Sequence, residues 1–503
     1  MDGADVAKRN TSKCCWVVLN AQVYDVTSYL DQHPGGAAIL LAQGGRVWIS
    51  IPAGQCTGRP ANCLWDATIE FSRIHSPDVL QYLPTGSLLG PIDTSTIGAL
   101  APPTNEEALR SLPTGEGLHH LSKCVVTGDF EVAAKMMLPA RSWSYVSSSS
   151  NSGLSMAANL DSWSAVRFRP RVLRDVQTVS TVSSILGHRC PFPFYVSPMG
   201  ILGRAHANAE VELVRGFRRS GIHGVISTVS TKTTEEIASS LTEALERHDD
   251  SRDVSAAPQL HFQLYTSPDR EAAIKLIHRV KVAGFRSLWV TVDTPVLGKR
   301  TIDRRQLAEE ALAMGSDEQA RAAGLGIVTH VRQNQVSASL AWTDLEWIKK
   351  EWGGPLVVKG IQCAEDAKLA MDYGCQGILL SNHGGRQLHS APDALSTLLE
   401  IRAYCPEVLG NLEVFVDGGL RDGADVLKAL CLGAKGVGVG RPFFYALAAY
   451  GTRGVERCIE ILAEELATAM RLVGITSLDQ VHPDLVNARR LANEIWRPLD
   501  SRL

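Results

Sequence analysis

The sequence contains no run of basic residues, no Cys-x-x-Cys pair and no stretch near the roughly 18 unbroken apolar residues of a membrane span. Lys and Arg number 50 against 53 Asp and Glu, a formal net charge of −3. That balance leaves no electrostatic footprint for nucleic acid, so small molecules or other proteins are the expected partners. The 11 cysteines are scattered, with Cys14 and Cys15 adjacent and Cys56 and Cys63 in one segment. This is not the framework of a small secreted scaffold, and reduced thiols in an intracellular compartment are expected. The first residues, Met1-Asp2-Gly3-Ala4-Asp5, are acidic where a signal or transit peptide would be basic, and a foldable pattern begins by about Lys13. Cytoplasmic residence is therefore expected.

What is present is a long globular chain. Its 503 residues, 45% hydrophobic and 20% charged, suit two to four domains with a large core. Residues 14–30 read as short strands around the turn Asn20-Ala21-Gln22. Past Pro84 the texture changes: Pro84, Pro91, Pro102, Pro103 and Pro113, with many Gly, Ser and Thr, mark a linker or wrapping segment. From about residue 192 one theme repeats eight times, an apolar β-rich run followed by a helix-like stretch. The runs start at Phe194, Gly224, His261, Leu288, Leu356, Gly377, Val414 and Gly436. Short continuous apolar runs are what buried parallel strands look like. Eight of them predict a (β/α)8 TIM barrel, an α/β fold, with a doubly wound open sheet as the alternative. The connection from Asp293 to Leu356 is far longer than usual and is expected to cover the mouth of the site. Gln263, Tyr265, Thr291, Asp293, Lys359, Asn382, His383, Asp417 and Arg441 close the strands. In a barrel these converge on the C-terminal face, where chemistry is done.

Two histidines stand out ahead of the barrel. His33-Pro34-Gly35-Gly36 follows Asp25-Val-Thr-Ser-Tyr-Leu30, and His75 lies in Phe71-Ser-Arg-Ile-His75-Ser-Pro77. Two neutral imidazoles on opposite faces of a heme iron give a six-coordinate electron-transfer centre, and the glycines allow close approach of the backbone. A lone histidine is more often structural, but the whole string from Trp16 to Pro77 resembles the cytochrome b5 family. The resemblance implies a small α+β domain binding heme b through His33 and His75. Residues 47–65 depart from that pattern as an insertion carrying Trp48, Ile49, Ile51, Leu64 and Trp65. An inserted loop costs little closure entropy; it reads equally as an exposed loop, a shielding flap or a gene-prediction error.

The most specific string is Ser381-Asn-His383-Gly-Gly-Arg386-Gln-Leu388. It is supported by Phe262-Gln-Leu-Tyr265, Thr291-Val-Asp293-Thr-Pro295, Val358-Lys359-Gly360, Asp417-Gly-Gly-Leu-Arg421 and Gly438-Val-Gly-Arg441-Pro442. Together, from about Lys13 to Asp484, these resemble the FMN-dependent 2-hydroxy acid oxidases and dehydrogenases in their form fused to a cytochrome b5-like heme domain. The implied organisation is a heme domain over 8–90, a linker over 91–117 and a barrel over 118–490. Oxidising a 2-hydroxy acid calls for a base, cations for the carboxylate and an acceptor at the flavin. By resemblance His383 is the base and Asp293 stabilises its imidazolium. Arg386 and Arg300 clamp the carboxylate, for which a planar guanidinium is suited, and Tyr145 and Tyr265 offer hydroxyls. For FMN, the resemblance puts Lys359 near N1 and C2=O and Ser227, Gln263 and Thr291 on the ring. Asp417, Gly418, Gly419, Arg421, Gly440 and Arg441 match the ribityl and phosphate segment, and Gly200 is counted with the cofactor-binding residues. The bland alternatives are a structural Asp293–Lys359 ion pair and a surface Arg421.

The resemblance implies oxidation of an L-2-hydroxy acid to the 2-keto acid, with electrons passing through FMN to heme b and on to a cytochrome c-like acceptor. A homotetramer is implied, and the mitochondrial intermembrane space becomes the alternative compartment. Two other readings stay open: an oxygen-reducing flavin oxidase whose heme domain is disabled, and a redox-inert binding protein. Gly200 and Val229 stand where the lactate-type pattern has larger residues, so a bulkier acid than lactate, aromatic or branched, is expected. Ser147–Ser150 also departs from the family pattern, without an obvious consequence.

Overall fold

The computed structural model describes residues 1–2, 5–6, 8–30, 40–41, 71, 75, 79–80, 83–93, 118–242, 257–313 and 336–497. The chain forms two compact units: Met1–Glu116 with Thr231–Thr233 and Arg304–Gln333, and Gly117–Ser230 with Thr234–Asp303 and Asn334–Leu503. Among the described residues no helix is long and apolar enough to cross a membrane.

The first unit contains an antiparallel sheet of β1 (Asn10–Thr11), β2 (Cys14–Leu19), β3 (Gln22–Asp25) and β4 (Leu88–Pro91), in that order. Asn20 and Ala21, both at positive φ, form the two-residue turn between β2 and β3. A turn with that handedness matches the twist of the flanking strands. Alternate residues of β2 feed separate clusters, as the two-residue period of a strand requires. Cys15, Val17 and Leu19 pack with Val26, Leu30, Phe71 and Leu80, while Trp16 and Val18 pack with Val6, Val23 and Ile92. The His75 amide donates to the Phe71 carbonyl (2.8 Å), and the two rings are 5.1 Å apart. His33, the 47–65 segment and most of the expected linker lie outside the described residues.

The second unit is a closed barrel of eight parallel strands: β5 (Phe194–Val196), β6 (Gly224–Ser227), β7 (Leu260–Leu264), β8 (Leu288–Thr291), β9 (Leu356–Ile361), β10 (Gly377–Leu380), β11 (Glu413–Asp417) and β12 (Gly436–Val439). The pairing of β12 with β5 closes the ring and excludes the open sheet. Every residue of β6 to β10 is buried, which is why these strands read as unbroken apolar runs. Tyr195, Val225, Trp289, Val357, Leu379 and Phe415 form one interior cluster. Ile185 and Cys190, from a hairpin of Ser183–Ile185 and His188–Cys190, join it and plug the barrel away from the C-terminal mouth. Tyr195 meets Trp289 and Phe415 edge-on at 5.3 and 5.7 Å, an arrangement aromatic quadrupoles favour. Aspartates start the intervening helices: Asp269, Asp393 and Asp422 each accept from first-turn amides. The Arg441–Val473 helix, kinked at Gly451, packs against the Ala209–Ser220 and Thr127–Met137 helices. Residues 314–335 of the long connection, expected to cover the mouth, lie outside the described residues.

Candidate active site

Strand register brings the strand-end residues together. Ser227 pairs with Gln263 across β6 and β7, Thr291 with Lys359 across β8 and β9, and Asp417 with Gly438 across β11 and β12. Ser227 Oγ donates to Gln263 Oε1 (3.0 Å), and Gln263 Nε2 donates to Thr291 Oγ1 (2.9 Å). The buried Lys359 ammonium donates to Ser381 Oγ (3.1 Å) and lies 3.7 Å from Asp417 Oδ2. Burial disfavours its charge, but Asp417, Asp293 and Tyr265 together hold the ammonium above its ordinary pKa.

His383 follows β10 in the left-handed region, at φ 61°, and Gly384 and Gly385 continue the turn. The Asn382 carboxamide oxygen accepts from the Gly385 amide (2.9 Å), and the Ser381 hydroxyl accepts from the His383 amide (3.0 Å). Such a conformation at a bulky residue persists only when its surroundings impose it. His383 Nδ1 is 3.1 Å from Asp293 Oδ1, and the Thr294 hydroxyl donates to that same oxygen (2.8 Å). Burial pushes the Asp293 carboxyl up, yet His383 and then Lys359 pull it down to about 2. Gly360, at φ 108°, makes room for this pair: a Cβ there would lie 2.6 Å from the Asp293 Cβ. The Gln387 carboxamide donates to the Asp293 and Val296 carbonyls (2.9 and 2.8 Å), fixing the loop that carries Asp293.

Arg386 extends from the same turn and stacks over Tyr145, its guanidinium carbon 4.9 Å from the ring centre. The Tyr145 hydroxyl donates to the Gly200 carbonyl (3.1 Å). Arg300 is buried, and its backbone bridges to Ser150, whose amide donates to the Gly385 carbonyl (2.8 Å). The serine run thus ties the Arg300 loop to the His383 turn. Tyr265 is buried at the end of β7, its amide bonded to the Thr228 hydroxyl (2.9 Å).

Gly418 and Gly419 follow β11 at φ 91° and 82°, and Trp163 Nε1 donates to the Gly418 carbonyl (2.9 Å). Thr127 donates to the Arg421 carbonyl. Gly440 caps the Arg441–Val473 helix. Arg441 donates to the Gly384 carbonyl (2.8 Å), and burial first, then Arg421, lowers its pKa to about 10. Arg441 opens one helix and Arg421 precedes the Gly423–Leu432 helix, and cations beside helix N-termini suit a bound anion. Asp417 Oδ1 is buried and accepts no hydrogen bond among the described residues. A hydroxyl of a bound flavin nucleotide's ribityl chain would be a donor of the kind this oxygen lacks. The cations, the orphaned carboxylate oxygen and the buried hydrogen-bonding chain of Ser227, Gln263 and Thr291 fit FMN.

The family described as FMN-dependent dehydrogenase matches residues 134–488. The chain belongs to that family. A cytochrome b5-like heme/steroid binding domain matches residues 2–56, ending within the 47–65 segment and before His75. L-lactate dehydrogenase (cytochrome) of Saccharomyces cerevisiae is 34% identical over 510 residues, 97% of this chain and 80% of the relative. The flavin-binding domain of baker's yeast flavocytochrome b2 superposes with a TM-score of 0.66 at 34% identity, covering 79% of this chain and 93% of its own. Mandelate oxidase with (S)-4-hydroxymandelic acid gives 0.63 at 34% identity, over 72% and 98%. FMN and heme are the cofactors this family membership and domain pairing carry.

The residues expected to serve catalysis and flavin binding all fall among the described residues of the second unit; of the two expected iron ligands, only His75 is described. Sequence reading missed Asn159. Its carboxamide exchanges two hydrogen bonds with Asn382 (2.7 and 2.8 Å) from a helix far away in the chain. Trp163, on the same helix, was missed too. No local signal marks either: their roles exist only once the Leu154–Ala165 helix docks beneath the His383 turn.

Proposed function

We propose that the chain oxidises an L-2-hydroxy acid with a side chain larger than methyl to the 2-keto acid. Its electrons pass through FMN to a heme held by His33 and His75, and then to a cytochrome c-like protein. The observation that carries the catalytic part is the His383–Asp293 pair beside Arg386 and Arg300. With Nδ1–H directed at the carboxylate, Nε2 is the ring nitrogen that would take the proton of the substrate hydroxyl. His383 accepts that proton, and the imidazolium forms against a buried carboxylate already held ionised. Arg386 and Arg300 orient the carboxylate, with the Tyr145 hydroxyl beside them. Bound FMN supplies the two-electron acceptor, and the Lys359 ammonium stands ready to balance the charge it gains.

Side-chain room comes from one contiguous space. A Cβ built on Gly200 would lie 3.3–3.6 Å from the Val229 carbonyl, Val229 Cβ and Ser227 Oγ. The volume absent at Gly200 therefore adjoins that absent at Val229. Related proteins with the same domain pairing support the acceptor; a homotetramer in the cytoplasm, or alternatively the mitochondrial intermembrane space, completes the reading. Rapid-mixing flavin reduction without oxygen tests it. His383→Gln should lower the rate by about 10²- to 10⁴-fold, in line with removing an essential base. A variant within tenfold of wild type would refute this role.

A further inference from the structure

Asn159, 1% exposed within the Leu154–Ala165 helix, lies against both the catalytic turn and the proposed flavin segment. Its carboxamide forms a reciprocal pair with that of Asn382. Asn159 Nδ2 donates to Asn382 Oδ1 (2.7 Å), and Asn382 Nδ2 donates to Asn159 Oδ1 (2.8 Å). Backbone groups fix which way the pair faces. Asn382 Oδ1 also accepts from the Gly385 amide (2.9 Å), and Asn382 Nδ2 also donates to the Pro392 carbonyl (3.0 Å). Turning either carboxamide over would set donor against donor and acceptor against acceptor, so a single orientation satisfies every partner. Through that pair Asn159 holds the turn that carries His383 at φ 61°.

The same residue backs Gly418 and Gly419. A Cβ on Gly419 would collide with the Asn159 carbonyl, and one on Gly418 would lie 3.1 Å from Asn159 Nδ2. One helical turn on, Trp163 Nε1 donates to the Gly418 carbonyl (2.9 Å), and the Trp163 carbonyl accepts from Lys428 Nζ (2.9 Å). On the other side of Asn159, a Cβ on Gly385 would lie 2.5 Å from the Met156 amide nitrogen. Gly385, Gly418 and Gly419, all at positive φ, therefore sit directly on the helix. No layer of side chains lies between to absorb a shift of either segment, and close-packed contacts transmit it. A second tie runs through Arg441, which donates to the Gly384 carbonyl (2.8 Å) and to the Met156 sulfur (2.7 Å).

We propose that Asn159 is a positioning residue that couples flavin binding to the His383 turn. The inference rests on reading Asp417–Arg421 as a flavin-binding segment and goes beyond it. Ordering Gly418 and Gly419 around the nucleotide seats the helix, and the seated helix holds the Asn159–Asn382 pair closed, which keeps His383 and Arg386 in place. The effect runs both ways. A coupling free energy between two sites is reciprocal, so an ordered turn tightens flavin binding by the same factor. Asn159 acts only through Asn382, Gly418 and Gly419.

The test uses the full chain with heme, stripped of FMN and then reloaded. Hydrogen exchange over residues 381–388, which include the Gly385 amide, is followed with and without saturating FMN, and the FMN Kd is measured alongside. In wild type FMN should slow that exchange. Asn159→Leu keeps the branched shape and removes both hydrogen bonds. It should cut the FMN-induced slowing about tenfold and raise the FMN Kd about tenfold, the worth of one to two net hydrogen bonds. Asn159→Asp supplies a reading that a merely structural role would not move. The ionised carboxylate sets an oxygen against Asn382 Oδ1, whereas the protonated acid donates there and accepts from Asn382 Nδ2, as the carboxamide does. Burial raises such a carboxyl, so both deficits should be present at about pH 8 and shrink, relative to wild type, at about pH 5. This variant also carries the test if Asn159→Leu folds poorly. Three results overturn the proposal: FMN that leaves wild-type exchange unchanged, a change below about threefold in either quantity, or an Asn159→Asp deficit equal at both pH values. None of these needs turnover, so failure of every 2-hydroxy acid to reduce the flavin overturns the catalytic reading alone.

Discussion

Replacing Asp293 by asparagine keeps the shape of the His383 pair and removes its charge. The Asp293 side chain is fully buried, with Oδ1 3.1 Å from His383 Nδ1. Its carboxyl falls from 3.8 to about 2 because His383 and Lys359 outweigh the burial that pushes it up. That fall corresponds to roughly 2–3 kcal/mol of net stabilisation of the carboxylate by its neighbours. If most of it acts on the imidazolium formed as the substrate proton is taken, Asp293→Asn slows flavin reduction about 10- to 100-fold. The acid limb of the pH–rate profile should also move to lower pH, since an amide no longer favours the protonated ring. The assay is anaerobic rapid mixing with saturating 2-hydroxy acid across pH 5–9, using enzyme whose flavin content equals that of wild type. A rate within threefold of wild type, or an acid limb moved to higher pH, would refute the reasoning. Linkage adds a stability signature. A carboxyl depressed on folding contributes stability that is complete above about pH 4 and is lost as pH falls through about 2.

Other expectations follow from neighbouring parts of the fold. Gly360→Ala places a Cβ 2.6 Å from that of Asp293 at a φ of 108°; it should destabilise by about 3 kcal/mol or more, read as a lowered Tm with loss of flavin. Arg441→Met removes a cation from the proposed phosphate site and should raise the FMN Kd about 10- to 100-fold, measured by fluorescence of released flavin. Glu465, half-buried beside Asp422 and Asp425, has its carboxyl pushed to about 7, chiefly by burial, although the Gly423 amide donates to it (2.7 Å). An acid raised on folding destabilises progressively as pH climbs from about 4.5 to about 7. Glu465→Gln should therefore stabilise by about 1 kcal/mol at pH 8 once solvent screening is allowed for, read as a raised Tm, with no gain near pH 4.5. A gain that is larger at low pH would contradict this assignment.

The barrel was legible because its strands are buried on both faces. Runs such as Leu288–Thr291 and Leu356–Ile361 have no solvent face to break their hydrophobicity, and chemistry collects where they end. Lys359, Asp293, His383 and Asp417 stood out for that reason: a charge closing an apolar run is conspicuous. What holds them was not legible. The Asn159–Asn382 exchange, the Gln387 clamp on the Asp293 loop and the Ser150–Arg300 bridge each join segments far apart in sequence, through side chains that are common anywhere on a surface. Gly360 was read as part of a string; its work, letting Asp293 approach β9, depends on a neighbouring strand.

The central claim, that His383 takes the substrate's hydroxyl proton while two electrons pass to the flavin and onward to heme, is tested most directly by one spectrum. Full-length enzyme carrying FMN and heme is mixed anaerobically with an L-2-hydroxy acid. Bleaching of the flavin band followed by the α and Soret bands of reduced heme is the result expected, with both absent in His383→Gln. A flavin that stays oxidised with every acid offered, or a heme that stays oxidised after the flavin has bleached, would contradict it.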